Sequence, residues 1–206
     1  MERANKHSKR KTGVLFAAAL MLCVIMGIAA TAWADDFMRP VIRYLTLKET
    51  VEALLPSAEE LSKRNVQLSH RKLEKLRRLK NWDTNDDTFV FFHAKTKEGR
   101  ITRTLVTFRE YIRQGGVLLM AVSLDNDGRI LEVRLMEAPN FVIQWIQPIL
   151  RSDYLDSFKG KDHRLDLELG PEYRDRFSGI TQQFALKMAN AVKKSAQLFM
   201  VEFYVK

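Results

Sequence analysis

Val117-Leu118-Leu119-Met120-Ala121-Val122-Ser123-Leu124-Asp125-Asn126-Asp127-Gly128-Arg129-Ile130-Leu131-Glu132-Val133-Arg134-Leu135-Met136 decides the fold class of this chain. Two apolar runs flank Asn126-Asp127-Gly128, where Asn and Gly tolerate the positive φ of a tight turn, so an antiparallel hairpin is expected. Its first strand is Val117–Leu124 and its second covers residues 130–136. Ile130, Val133 and Leu135 do not alternate cleanly, which points to a bulge in that strand. Upstream, residues 88–94, with Phe89, Phe91 and Phe92, and residues 101–108 read as two further strands. Downstream, helices are expected over residues 141–150 and 178–199, where Phe184, Met188 and Val192 recur one turn apart. Strands grouped ahead of helices give an α+β fold, an antiparallel sheet packed with helices.

Residues 35–87 read as a helical lead-in. Thr46-Leu47-Lys48-Glu49 is a capping box for a short helix ending before Pro56. Ser57-Ala58-Glu59-Glu60 is expected to open a second helix, and residues 69–79 continue the helical region. Residues 81–87 form a polar loop. Between the two C-terminal helices lie a short helical turn holding Tyr154, Leu155 and Phe158, and a turn at Gly160-Lys161-Asp162. Leu165 and Leu167 alternate with Asp166 and Glu168 as in a half-exposed strand, which Gly170-Pro171 ends.

The first 34 residues carry an address. Arg3, Lys6, Lys9, Arg10 and Lys11 precede an uninterrupted apolar run over residues 14–30, then Ala32-Trp33-Ala34, an A-x-A cleavage site. Residues 1–34 are therefore expected to be a signal peptide, with an uncleaved membrane anchor as the alternative. Either puts the body outside the cytoplasmic membrane, periplasmic or on its outer face. The net charge is +9, and the five basic and one acidic residues before Asp35 account for nearly half of it. Outside the membrane a nucleic-acid partner is not expected. The basic residues Arg71, Lys72, Lys75, Arg77, Arg78 and Lys80 above Leu73, Leu76 and Leu79 then read as a solvated face, or as a surface for anionic lipid or an acidic partner.

The chain has one cysteine, Cys23, which excludes disulfides, a CxxC pair and thiolate clusters. His7, His70, His93 and His163 are scattered without metal-ligand spacing. His93, in an aromatic strand, reads as structural. No G-x-S-x-G elbow surrounds Ser178. Ser178 is a preferred N-cap, Gly179 admits close approach to the backbone, and Thr181 falls in the first turn of the last helix, where free N–H groups and the helix dipole suit a phosphate. Read locally, the expectation is that Ser178 only caps that helix and that Thr181 is an ordinary first-turn residue.

Asp175-Arg176-Phe177-Ser178-Gly179-Ile180-Thr181 resembles the attachment motif of the FMN-binding domain family, which includes flavin-bearing subunits of the Rnf and sodium-pumping NADH–quinone reductase complexes and the nitrous-oxide-reductase regulator. Asp175, Ser178, Gly179 and Thr181 match; Ile180 stands where the family has Ala. Asp127-Gly128-Arg129-Ile130 with Val133 and Glu137 resembles the family's strand ending in an acidic residue near the flavin. Tyr154 to Lys161 resembles its Phe-x-Gly-Lys segment, and Leu54-Leu55-Pro56 its lead-in. The Gly-rich turn that many members have after the acidic residue is missing from Glu137-Ala138-Pro139-Asn140-Phe141.

The resemblance spans roughly residues 45–199. It implies that residues 88–206 form an FMN-binding domain and that Thr181 carries FMN by a phosphoester. A flavin transferase that uses FAD would install it, with Asp175 helping to position metal or FAD. Ser178, Gly179, Ile180 and Glu137 would surround the cofactor, with Phe158, residues 89–92 and His93 as further neighbours. The implied role is an electron carrier serving a membrane-bound redox complex or other carriers. Two alternatives stand beside it: a flavin-free docking or assembly module of such a complex, and a flavin reductase of a small acceptor.

Overall fold

The computed structural model describes residues 40–56, 58–84, 86–113 and 115–204. The basic N-terminus, the apolar run, the A-x-A site, Cys23 and His7 lie outside the described residues, as does Ser57. Residues Val41–Lys206 make one compact unit. Among the described residues no helix is long and apolar enough to cross a membrane.

Six antiparallel strands form one sheet: β1 (Val41–Arg43), β2 (Glu60–Gln67), β3 (Thr88–Lys95), β4 (Ile101–Tyr111), β5 (Val117–Leu124) and β6 (Ile130–Pro139). Their order is β1-β6-β5-β4-β3-β2. The hairpin that decides the fold class is present: Asp125 Oδ1 accepts from the N–H groups of Asp127 and Arg129 at 2.9 and 2.8 Å, and Gly128 sits at φ +78°. The expected bulge is present too. Leu119 pairs with Glu137 while Met120 pairs with Leu135, so Met136 is the extra residue.

Among the described residues five α-helices accompany the sheet: α1 (Leu47–Leu54), α2 (His70–Arg77), α3 (Ile143–Leu150), α4 (Pro171–Arg176) and α5 (Gly179–Phe203). Alternation sends each strand's side chains to opposite faces. On one face Phe89, Phe91, Phe108, Leu118, Met120 and Val122 meet Phe184, Met188, Val192 and Ala196 of α5 in the main core. On the other, α1 covers only part of the sheet, where Leu54 and Leu55 pack on Ala94, Leu105, Ala121 and Met136. Thr46 caps α1 in a full capping box with Glu49.

Two expectations in the lead-in and tail are corrected. Glu60–Gln67 is strand, not helix; it pairs along β3 from Glu60↔Lys95 to Gln67↔Thr88. The S-x-x-E pattern at Ser57 imitates a helix start, but the ladder offered by β3 outweighs local propensity. Its charged side chains suit an edge strand, where they discourage pairing with another chain. With β1 also joined to β6, the described part of residues 35–87 is not a separate helical lead-in; β1 and β2 are the two edges of the sheet. Residues 165–169 alternate in burial yet pair with no strand. Leu165 and Leu169 are anchored in the main core instead.

Candidate functional site

The junction of α4 and α5 gathers five of the six expected site residues. Pro171 starts α4 after Gly170, and Phe177 leaves the helix in extended backbone (φ −101°, ψ 137°). Ser178, also extended, then caps α5. Gln182 fastens the joint, its Nε2 donating to the carbonyls of Arg174 at 2.7 Å and Phe177 at 2.9 Å. Ser178 Oγ donates to Thr181 Oγ1 at 3.0 Å and accepts from the Thr181 N–H at 3.5 Å. The N–H groups of Gly179 and Ile180 have no hydrogen-bond partner among the described residues. Nothing lies within 4 Å of the Cβ position at Gly179. Ile180 is 46% exposed, and Asp175 faces solvent.

Thr181 itself is 2% exposed. Phe177, just before the start of α5, belongs to an aromatic cluster. Tyr154, Tyr173 and Phe177 meet edge-on or stacked with ring centroids 4.9–5.9 Å apart, and Phe158 adds a fourth ring 5.2 Å from Tyr154. Tyr154 Oη donates to the Ala185 carbonyl at 3.0 Å, and burial pushes its phenol above the ordinary tyrosine value. Phe158 reaches this cluster only through Tyr154, and Lys161 Nζ lies 5.5 Å from its ring centroid.

Arg176 and Phe177, just before Ser178, also line a cleft of about 480 Å³ with Gln144, Gln147, Pro148 and Arg151 of α3 and its C-terminus. Its polar groups are amides and guanidiniums; Arg151 has no acidic partner among the described residues, while Arg176 stands 3.6 Å from Asp153. Nothing in the sequence marks Gln144 or Gln147 as lining a cleft; it forms only where α3 and the end of α4 come together. In chemistry, two hydroxyls, two free N–H groups and neighbouring cations fit a phosphate ester at the helix start. In access, any reagent aimed at Thr181 Oγ1 would need the first turn of α5 to open, or to act before folding.

Three expected neighbours lie elsewhere. Glu137 pairs with Leu119 and shares its face, the one covered by α1, whereas α5 packs on the other. There Arg43 Nε donates to Glu137 Oε1 at 2.6 Å, at the wall of a groove of about 670 Å³ that also includes Arg109, Thr107 and Val90. The bulge at Met136 explains the misplacement, since one extra residue inverts every side chain that follows. Phe91 and His93 pack against Phe203, at 5.7 and 5.6 Å between centroids. Phe203 is 22 residues beyond Thr181, about 33 Å along the helix at 1.5 Å per residue. The hairpin at Gly128 likewise meets Phe199 and Met200, and Gly160-Lys161 is stitched to Ile130 by two 2.8 Å backbone hydrogen bonds. These elements adjoin one another, toward the far end of α5.

His93 is structural. It lies 3% exposed between Phe91 and Phe203, with Nδ1 3.0 Å from Thr104 Oγ1. Burial first, then the charges of Arg64 and Lys95, lowers its pKa to about 4. In the unfolded chain the value is about 6.5. Between those values the unfolded state takes a proton that the folded state refuses, so stability is lost as pH falls from 6.5 to about 4 and this loss stops below. Urea midpoints of the native protein are expected to fall over that window more steeply than those of His93→Phe. Equal slopes would show that His93 is protonated freely in the fold.

No family model, no curated protein and no solved structure matches this chain.

Proposed function

We propose that this protein is an extracytoplasmic electron carrier holding one FMN through a phosphoester to Thr181. One observation carries the reading: Ser178, Gly179 and Thr181 share the first turn of α5, directly after the residues that line the Gln144–Arg151 cleft. The flavin, when bound, supplies reversible uptake of electrons. The chain's own residues position and shield it. Ser178 holds a hydrogen bond on Thr181 Oγ1, the oxygen that would bear the phosphate. Gly179 and Ile180 present free N–H groups, and the open space above Gly179 admits a phosphate to the backbone. Arg151 and Arg176 bring positive charge to the cleft, which favours a ring that has gained electrons. Asp175, exposed at the end of α4, is reachable by the transferase that uses FAD. The carrier's partners would be a membrane-bound redox complex or other carriers.

A second reading is a flavin-free docking or assembly module, favoured by the 2% exposure of Thr181 and by the capture of Glu137 by Arg43 on the opposite face. Coexpression with an active flavin transferase separates the two. Under the first reading, denatured protein run on a gel fluoresces under ultraviolet light, and Thr181→Ala is dark. A native band as dark as the variant, with another target labelled by the same transferase, favours the module.

A further inference from the structure

Behind the sheet, at the far end of α5 from Thr181, a wide groove of about 640 Å³ lies between α2, α5 and residues 163–167. Its floor is Leu79, Leu167, Met200 and Val201, all aliphatic or thioether. The two amides in its wall are already spoken for: Asn81 Nδ2 donates to Gln197 Oε1 at 2.9 Å, and Gln197 Nε2 returns a bond to Asn81 Oδ1 at 3.2 Å. The floor of the groove is therefore apolar, and its free polar groups stand at the rim.

Its rim is cationic, and unusually so for this protein. Other lysines of the same two helices are matched by acids: Lys72 with Glu202 at 2.7 Å, Lys187 and Lys194 with Glu110 at 3.6 and 2.8 Å. Lys75, Lys80 and Lys193, which line the groove, have no acidic partner among the described residues. On the third side stands His163, whose Nδ1 is buried with no hydrogen-bond partner, 4.0 Å from Asp162. Three unmatched ammonium groups around an aliphatic floor complement a molecule with one anionic end and one hydrocarbon chain. Each buried methylene adds to such binding, so a long chain outweighs the loss of its freedom.

We propose that this groove binds a single long-chain aliphatic carboxylate, with the chain over Leu79, Leu167 and Met200 and the head among Lys75, Lys80 and Lys193. The site is separate from Thr181 and does not depend on flavin. A diazirine-bearing long-chain fatty acid, photolysed with the full-length protein, tests it by sequencing of the labelled peptides. Label is expected on the peptides holding Leu79, Leu167 and Met200. Lys75→Glu with Lys193→Glu should weaken that labelling by roughly tenfold or more, because each removes an attraction and adds a repulsion. Leu167→Glu should abolish it while far-ultraviolet circular dichroism stays unchanged. The corresponding fatty alcohol should label these peptides weakly. Label absent from these peptides, unchanged by the double charge reversal, or equal for the alcohol overturns the proposal; binding of an acidic amphipathic helix that the fatty acid does not displace would do the same.

Discussion

Replacing Lys194 with Met is expected to lower the unfolding free energy by about 3 kcal/mol, the scale set by breaking a buried ion pair from one side. Lys194 and Glu110 each expose 2% of their side chains, and their Nζ–Oε2 distance is 2.8 Å. The lysine also bonds Asp83, whose side chain is 68% exposed and keeps its own solvation. Glu110 has two weaker partners, Lys187 at 3.6 Å and Asn190 at 3.5 Å, which soften the loss without replacing it. The diagnostic is the double variant Lys194→Met with Glu110→Leu. Removing both charges avoids an unpaired carboxylate in the core, so most of the lost stability should return. Urea unfolding of the three proteins measures this. A single variant as stable as the native protein, or a double variant less stable than the single, would mean the pair is not buried as described.

Phe108→Ala is expected to cost about 4 kcal/mol, in the range for emptying a large aromatic site. Phe108 is 1% exposed, stacks on Phe89 at 5.9 Å, meets Trp82 edge-on at 5.9 Å and has Lys194 Nζ 5.7 Å over its ring. Phe108→Leu should recover more than half of the loss by filling most of the cavity. Tyr111, three residues on in β4 and 50% exposed, provides the contrast, with a change within about 0.5 kcal/mol for Tyr111→Ala. Because Phe108 touches Lys194, its effect and that of Lys194→Met should not add. Equal costs at Phe108 and Tyr111 would contradict the placement of the core on the α5 face.

The parts legible in the sequence were those written in local chemistry. Asn126-Asp127-Gly128 fixed a hairpin, Thr46 to Glu49 fixed a helix start, and the spacing of Phe184, Met188 and Val192 fixed the buried stripe of α5. What escaped depended on distant partners. Glu60–Gln67 carries one buried residue, Val66, and is a strand only because β3 lies beside it. β1 is three residues long, too short for any periodicity. Leu165 and Leu169 show the alternation of a strand but dock as anchors of an unpaired segment. At the candidate site, the motif residues from Asp175 to Thr181 were bound to stay together because they are contiguous. Glu137 was placed by an irregularity at Met136 that the sequence signalled without locating. The Gln144–Arg151 cleft needed α3 and α4 side by side, which no spacing encodes.

The proposed phosphoester at Thr181 is tested most directly by the intact mass of the full-length protein made in cells containing the flavin transferase. The expected result is a gain of one FMN less one water, located by fragmentation to Thr181 and absent from Thr181→Ala. An unmodified mass, with the transferase active on another target in the same cells, would contradict it.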